Sequence, residues 1–150
     1  MIDDLDRKIL RVLQTDSSLA LEEIAAKVGS SKSPVWNRIK KLKANGIIAK
    51  EVALLDSSKI GLTDPFFVAI RTDQRSEEWL NAFTQTLDEM PEIQEAHRLT
   101  GEIDYILKVR VGSTQEFDAF YKGFIGRINL FNVTSSLSME TLKETTVLKV

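Results

Sequence analysis

The sequence contains no cysteine, which excludes a disulfide framework, a zinc site with thiolate ligands and a cysteine nucleophile. It has one histidine, His97, and no apolar run that approaches the roughly 18 residues of a membrane-spanning helix. The first ten residues, MIDDLDRKIL, are charged from the third residue onward, so we expect no signal peptide. Together these absences predict a soluble, cytoplasmic protein that does not bind a membrane.

The net charge of −2 hides an asymmetry between two parts of the chain. Residues 1–50 carry ten lysines and arginines against six acidic residues, a net of +4, whereas residues 51–150 carry ten against sixteen, a net of −6. A chain of 150 residues suffices for one ordinary domain or two small ones. Chance also distributes a few charges in this way, so the asymmetry supports two domains only together with the patterns below.

Three amphipathic helices are predicted in the basic part of the chain. Apolar residues at helical spacing mark the first two helices, over DDLDRKILRVLQTD and LEEIAAKVG, and Gly29 ends the second. Ser31 is a suitable N-cap for the third helix, and Pro34 falls in its first turn, where a missing N–H costs least. From Val35 onward, apolar residues follow the i, i+4, i+7 rule and should face a core.

The third helix carries the strongest functional signal. From Ser30 to Gly46 the run SSKSPVWNRIKKLKANG has five basic residues and no acidic one. With the second helix and the glycine turn it forms a helix-turn-helix pattern, in which the third helix is the recognition helix. Basic side chains displace counterions from phosphates and small polar ones approach base edges, although a solvated basic surface is the alternative. The predicted DNA-binding residues are Ser31, Lys32, Ser33, Pro34, Trp36, Asn37, Arg38, Lys40 and Lys41.

The rest of the chain alternates between strands and helices. IIAKEVALLD predicts a strand or short hairpin, the wing of a winged helix-turn-helix domain over residues 1–55, and residues 56–64 form a linker. Residues 65–150 then follow the order βαββαβ of a ferredoxin-like sandwich, which makes the fold class α+β. Two helices should cover one face of an antiparallel sheet, with the aromatic stripe of the second helix in the core. We expect the other face to be apolar enough to pack on a second copy.

The turn LTGEIDYI between the second and third strands is a candidate small-molecule site. Gly101 allows a tight backbone whose N–H groups can meet a carboxylate, and Asp104 could bind an ammonium group. The later VTSSLS run supplies hydroxyl groups that could reach the same place. Taken alone, a glycine-containing turn and a polar edge strand remain the simpler interpretation.

The run LDRKILRVLQTDSSLALEEIAAKVGSSKSPVWNRIKKLKANGIIAKEVALLD resembles the DNA-binding half of the Lrp/AsnC family, the leucine-responsive and asparagine-responsive regulators. TGEIDYILKV and VTSSLSMETLK extend the resemblance over nearly the whole chain, and GIIAKEVALLDSSKIGL makes it similar to the DecR-like branch. Family members often have Ser, Thr or Asp where this chain has Ala20, whereas Glu23 is present. Half of a capping box is therefore missing at the second helix.

The resemblance implies a bacterial transcriptional regulator with a C-terminal RAM-type domain. In this family the sheets pair in homodimers, which commonly associate to octamers, and an amino-acid effector is held where subunits meet. The protein would be nucleoid-associated when bound to double-stranded DNA. The effector-binding residues that the resemblance implies are Leu99, Thr100, Gly101, Asp104, Thr134 and Ser136. Arg98 could bind an effector carboxylate or make an ion pair across an interface.

Two other classes of function are alternatives to this interpretation. An enzyme would have to use His97, which has no nucleophile-elbow motif nearby, and no cofactor signature is present, so we expect no catalysis and no cofactor. Tetrapyrrole decarboxylases resemble the family's architecture, but the rear half of this chain has few of the basic residues and histidines that an anionic macrocycle would require. A small-molecule-sensing partner protein without DNA binding would have an acidic or broken third helix.

Overall fold

The computed structural model describes residues 2–150, which fold as two compact units. The first unit runs to Leu54 and also includes Lys143–Val150, and the second unit spans Leu55–Leu142. Throughout residues 2–150, no helix combines the length and the apolar composition needed to cross a membrane.

The first unit contains the three predicted helices, α1 (Asp4–Thr15), α2 (Leu21–Val28) and α3 (Lys32–Ala44). Each helix buries one apolar stripe against the other two, as the helical spacing predicted. The buried apolar residues of this core are Ile9, Leu10, Ile24, Ala25, Val28, Val35 and Leu42. The prediction of a helix-turn-helix is confirmed.

The ends of α2 have the capping features that the sequence predicted, and α1 has a capping box that was not predicted. Gly29 ends α2 in the left-handed conformation, with φ of +69°, and Glu23 accepts the N–H of Ala20 at 3.0 Å as the retained half of a capping box. At α1 a complete box is present. Asp3 Oδ1 accepts the N–H of Asp6 at 2.9 Å, and Asp6 Oδ2 accepts the N–H of Asp3 at 3.1 Å.

The predicted wing after α3 does not form in this chain. Residues 49–56 have no regular secondary structure, and the sheet of the described chain contains only strands from the second unit. The alternation of apolar and polar residues in IIAKEVALLD is typical of a strand. A strand also needs a neighbouring strand with which it exchanges main-chain hydrogen bonds. The first unit offers none, so the expectation of a strand or hairpin here was wrong.

The last eight residues lie in the first unit and not in the second. The side-chain amide of Gln14 donates to the main-chain oxygen of Leu148 at 3.1 Å and accepts the N–H of Leu148 at 2.6 Å. The Nη2 of Arg11 donates to the main-chain oxygen of Val150 at 2.7 Å, and Val150 packs against the helical core. These hydrogen bonds hold the last residues to α1, and the compact second unit accordingly ends at Leu142. At its other end, the predicted linker over 56–64 contains a 3₁₀ turn, Ser57–Ile60, and lies in the second unit.

The second unit has the predicted βαββαβ order. Its elements are β1 (Asp64–Arg71), α4 (Glu77–Glu89), β2 (Ile93–Arg98), β3 (Tyr105–Val111), α5 (Thr114–Arg127) and β4 (Asn132–Leu137). The strands form an antiparallel sheet in the order β2-β3-β1-β4. This is the topology of a ferredoxin-like sandwich, so the predicted fold class is confirmed.

Aromatic side chains fill the space between the sheet and its two helices. Phe83 lies 4.9 Å from Trp79 and 4.8 Å from Tyr105, measured between ring centroids, and Phe117 stacks on Phe66 at 3.7 Å. The predicted stripe on α5 is buried or packed against the core throughout, which confirms its structural role. On α4, Trp79 and Phe83 are buried, whereas Leu80 is 43% exposed.

The uncovered face of the sheet is more polar than expected. Phe67 and Ile106 supply apolar surface, but Glu95 lies between Lys108 and His97, with N–O distances of 3.4 and 3.3 Å. Hydrogen bonding from His97, and then from Lys108, lowers the pKa of the Glu95 carboxyl. A partner packed on this face would therefore meet charge as well as apolar surface, because strand alternation places both on one side of the sheet.

Candidate nucleic-acid interface and effector cavity

The recognition helix α3 presents a polar face opposite its buried stripe. Val35 is fully buried and Leu42 nearly so, whereas Trp36, Asn37 and Lys40 lie on the exposed side, with half of the Trp36 surface accessible. The orientation predicted from the helical spacing is therefore confirmed. Ser31 occupies the N-cap position, but its hydroxyl makes no capping hydrogen bond.

Five polar or aromatic side chains on this face are available to a ligand. Lys40 Nζ lies 5.0 Å from the centroid of the Trp36 ring, a cation–π arrangement. Ser33 and Asn37 are exposed, and within residues 2–150 their side chains make no hydrogen bond. Lys41 is also exposed and has no ion-pair partner in that range. The face thus combines hydrogen-bonding side chains with positive charge.

Two lysines of α3 have carboxylate partners at the protein surface. Lys32 pairs with Glu22 of α2, and this hydrogen bond lowers the pKa of the Glu22 carboxyl. Lys43 pairs with Glu51 at 3.0 Å. Both pairs are exposed, and exposed pairs contribute little to stability, so Lys32 can exchange its carboxylate for a phosphate at small cost.

Arg38 is placed differently from the other predicted DNA-binding residues. Its side chain is about two-thirds buried, and its Nη1 contacts the carboxylates of Asp3 and, at 3.2 Å, of the buried Asp6. Asp3 raises the pKa of Arg38, and the N–H of Asp6, assisted by Arg38, lowers the pKa of Asp3. The guanidinium group therefore joins α3 to the capping box of α1, which directs it away from the exposed face.

We expect Arg38→Gln to destabilise the first unit at neutral pH and to do so much less in acid. The pKa of Asp3 is lowered in the folded chain below its ordinary value of 3.8, so its stabilising contribution is present above that value and is lost as the pH falls through the lowered one. Urea unfolding at about pH 7 and at an acidic pH that protonates Asp3 checks this, read from Trp36 fluorescence in a Trp79→Phe background.

Lys43→Gln is the matched control, because it removes a surface pair whose carboxylate partner is exposed. We expect it to change the unfolding midpoint little at either pH. An Arg38→Gln effect of the same size at both pH values would show that the guanidinium group acts by packing rather than through the Asp3 carboxylate.

A polar cavity of about 280 Å³ lies in the second unit, where the end of the sheet meets the start of α4. Polar side chains form most of its wall: Thr72, Gln74, Arg75, Ser76, Arg98 and Asp104. A larger cavity, of about 640 Å³, lies in the first unit, where apolar side chains of α1 and of the last residues form much of the wall. A charged metabolite is therefore better matched by the smaller cavity.

Three hydrogen bonds hold Asp104 in place in the wall of the smaller cavity. Its carboxylate Oδ2 accepts the N–H of Thr72 at 2.8 Å, its own N–H donates to Ile70 at 2.9 Å, and its carbonyl oxygen accepts the N–H of Leu99 at 2.8 Å. These bonds tie together the ends of β1 and β2 and the start of β3. The carboxylate keeps acceptor capacity for a ligand, since an ionised carboxylate has about four acceptor positions.

The structure brings only Asp104, of the predicted effector-binding residues, to this cavity. Gly101 adopts φ of +123° in the exposed loop beyond Leu99, a conformation that side chains other than glycine rarely take. Thr134 and Ser136 lie on β4, opposite Ala69 and Phe67, and so on the far side of β1 from β3. These predicted residues remain separate from the cavity within one chain.

Sequence reasoning missed the loop after β1, which contributes Thr72, Gln74 and Arg75 to the cavity. Ser76 could have revealed this loop in the sequence, because serine is a common helix N-cap. In the structure it caps α4 by accepting the N–H of Trp79 at 3.1 Å, and the polar residues before it lie at the end of the sheet. In the described part of the chain, no group of three or more His, Asp or Glu side chains converges to hold a metal ion.

Comparison with known proteins assigns a family description to each of two parts of the chain. The AsnC-type helix-turn-helix domain matches residues 2–43, and the Lrp/AsnC ligand binding domain matches residues 66–148. The glutamate uptake regulatory protein of Zymomonas mobilis is 44% identical over 147 residues, 98% of this chain and 90% of that protein. The DNA-binding transcriptional activator DecR of Escherichia coli is 42% identical over 151 residues, 100% of this chain and 99% of that protein.

Solved structures agree with this match along the chain. An AsnC family transcriptional regulator from Agrobacterium tumefaciens has a TM-score of 0.96 and 46% identity, over 99% of this chain and 97% of that one. A transcriptional regulator from Neisseria meningitidis in complex with L-Met has a TM-score of 0.94 and 28% identity, over the same shares of the two chains.

Proposed function

The chain belongs to the Lrp/AsnC family of transcriptional regulators, and we propose that α3 of its first unit reads the major groove of operator DNA. The observation that carries this proposal is the exposed face of α3, which is basic and polar and has no acidic residue from Ser30 to Gly46. A helix in the major groove lies between two rows of phosphates, where such a face is favoured. The relatives named above, a transcriptional activator among them, support this function.

Each exposed group on α3 has a proposed role. Ser33 and Asn37 contact base edges, because they are short, polar and near the N-terminal end that enters the groove. Lys32, Lys40 and Lys41 contact phosphates, and the other predicted positions (Ser31, Pro34 and Trp36) border these contacts at the start and the exposed side of the helix. Arg38 acts differently: its ion pairs with Asp3 and Asp6 hold α3 in position on α1.

We expect Asn37→Ala to reduce sequence preference more than it reduces binding to DNA in general. Loss of a bidentate base contact costs about 1–3 kcal/mol of discrimination, whereas phosphate contacts are unaffected. Fluorescence polarisation with the promoter beside the protein's own gene, against a scrambled duplex of the same length, measures the preference.

Asn81→Ala on α4 is the control, since it removes an exposed asparagine from a helix of the second unit. We expect its preference to equal that of the unaltered chain. An Asn37→Ala chain that keeps the full ratio between promoter and scrambled duplex would remove Asn37 from the base-reading set. Absence of binding to either duplex by the unaltered chain would instead favour a sensing protein without DNA binding.

We also propose that the second unit binds an amino-acid effector at the cavity beside Asp104. The cavity is small, polar and held by main-chain hydrogen bonds, and a solved relative is a complex with L-Met. The regulation of glutamate uptake by another relative agrees with a role in amino-acid metabolism. The remaining predicted effector residues, Leu99, Thr100, Gly101, Thr134 and Ser136, contribute from a second subunit or from the loop above the cavity.

Regulation then follows from assembly. We propose homodimers paired through the sheets and associated further to octamers, with the effector favouring one arrangement of the first units over another. An effector shifts this equilibrium only by the difference in its affinity for the two arrangements. As a DNA-binding regulator the protein would act in the cytoplasm, associated with the nucleoid. Its relatives are regulators, and no feature of the described residues indicates catalysis.

A further inference from the structure

The cavity in the second unit contains more positive charge than an ordinary amino acid requires. Arg75 and Arg98 both line it, and neither side chain makes an ion pair or a hydrogen bond within residues 2–150. Asp104 is the only carboxylate in the wall, and no ion pair joins it to either arginine. The wall therefore carries a formal charge of +1, from two guanidinium groups and one carboxylate.

The fold brings the two arginines to this place by separate routes. Arg98 ends β2 directly opposite Tyr105 of β3, and Tyr105 packs on Trp79 and Phe83 beneath α4, so Arg98 lies on the helix-covered side of the sheet. Arg75 precedes Ser76, the N-cap of α4, at the end of the loop that follows β1. The start of a 13-residue helix adds its partial positive charge to this end of the cavity.

The charges of the cavity wall indicate which class of amino acid it binds. A neutral amino acid has one ammonium group, which Asp104 can bind, and one carboxylate, which one arginine can bind in a bidentate arrangement. Both arginines are exposed, so the second one would stay hydrated and would add nothing to the affinity for a neutral amino acid. A second carboxylate on the effector side chain pairs with this arginine and brings the occupied cavity to neutrality.

We infer that the cavity selects an acidic amino acid, with the α-amino group at Asp104 and the two carboxylates at Arg75 and Arg98. The volume of about 280 Å³ is at the lower limit of small-molecule sites, as a compact metabolite requires. Glu77 and Glu78 begin α4 but do not line the cavity, so the charged groups of its wall are Arg75, Arg98 and Asp104. This inference rests on the proposed binding of an amino acid by the second unit.

Isothermal titration of the full chain with matched pairs of ligands tests the inference. L-Glutamate and L-glutamine, and L-aspartate and L-asparagine, differ mainly in the charge of the side chain. We expect at least one acid to bind about tenfold or more tightly than its amide, because a charge-assisted bidentate bond is replaced by a neutral contact. Arg75→Gln and Arg98→Gln should each remove most of this preference, and Asp104→Asn should weaken both ligands of a pair.

Arg71→Gln is the matched control, because it alters an exposed arginine of the same unit that does not line the cavity. Its preference for acids should equal that of the unaltered chain. Equal affinity for acids and amides would overturn the inference while leaving an amino-acid effector in place. Binding of none of the common amino acids would overturn the proposed effector function itself. A strong acid preference that survives both arginine substitutions would remove these two residues from the site.

Discussion

A chain in which Lys40 and Lys41 are both replaced by glutamine will bind operator DNA about 10 to 100 times more weakly at physiological salt, with a flatter dependence on salt. Both lysines lie on the exposed side of α3, and the Lys40 ammonium group lies over the Trp36 ring. Each phosphate neutralised by a lysine contributes about 0.9 to the slope of log K against log salt, so the slope should fall by about 1.8. Gel-shift or polarisation titrations at four or five salt concentrations measure both quantities.

Replacement of Lys59 and Lys122 by glutamine provides the same loss of charge in the second unit. We expect this control to retain the slope of the unaltered chain, since long-range effects of exposed charges are screened within about 8–10 Å at these salt concentrations. An unchanged slope in the Lys40 and Lys41 variant would falsify their assignment as phosphate contacts. Equal loss of slope in both variants would point to net charge rather than to a located interface.

Phe83→Ala will destabilise the second unit by about 3–5 kcal/mol, the range for truncation of a large buried aromatic side chain. Only 1% of the Phe83 surface is exposed, and its ring contacts those of Trp79 and Tyr105 at centroid distances of 4.9 and 4.8 Å, with Phe124 at 6.4 Å. The substitution therefore removes apolar burial and leaves a cavity between α4 and the sheet. We expect no other single side-chain truncation in this unit to reduce its stability more.

The chain has one tryptophan in each unit, which makes the measurement specific. In a Trp36→Phe background, urea unfolding followed by fluorescence reports the second unit through Trp79, which is 8% exposed and adjacent to Phe83. Phe131→Ala is the control, because 72% of that side chain is exposed, and we expect it to change stability by less than about 1 kcal/mol. Similar shifts in the two variants would contradict a packed aromatic core.

Local chemistry explains why so much of the fold was predictable. Helical spacing, the glycine at the end of α2 and the alternation in β3 each act within a few residues, so they can be recognised in a single sequence. The polar face of α3 follows from the same spacing once Val35 and Leu42 are assigned to the core. These elements agree with one another along the chain, which is what a sequence that specifies one fold should show.

The features that escaped prediction depend on residues far apart in sequence. Arg38 looked like part of a basic surface, but its partners Asp3 and Asp6 are more than thirty residues away and are joined to it only by the packing of α3 on α1. The wing was predicted from alternation alone, which does not reveal whether a neighbouring strand exists. The cavity residues Thr72 and Gln74 belong to no motif, and only the sheet register brings their loop to Asp104.

The attachment of the last residues to α1 bears on the order in which the protein can fold during its synthesis. Gln14 and Leu148 are 134 positions apart, and Arg11 and Val150 are 139 apart. The three helices leave the ribosome long before these partners, so the first unit can acquire its own core early but not its final hydrogen bonds. A purification tag fused directly after Val150 would hinder the formation of these hydrogen bonds. A tag joined through a flexible spacer would leave them undisturbed.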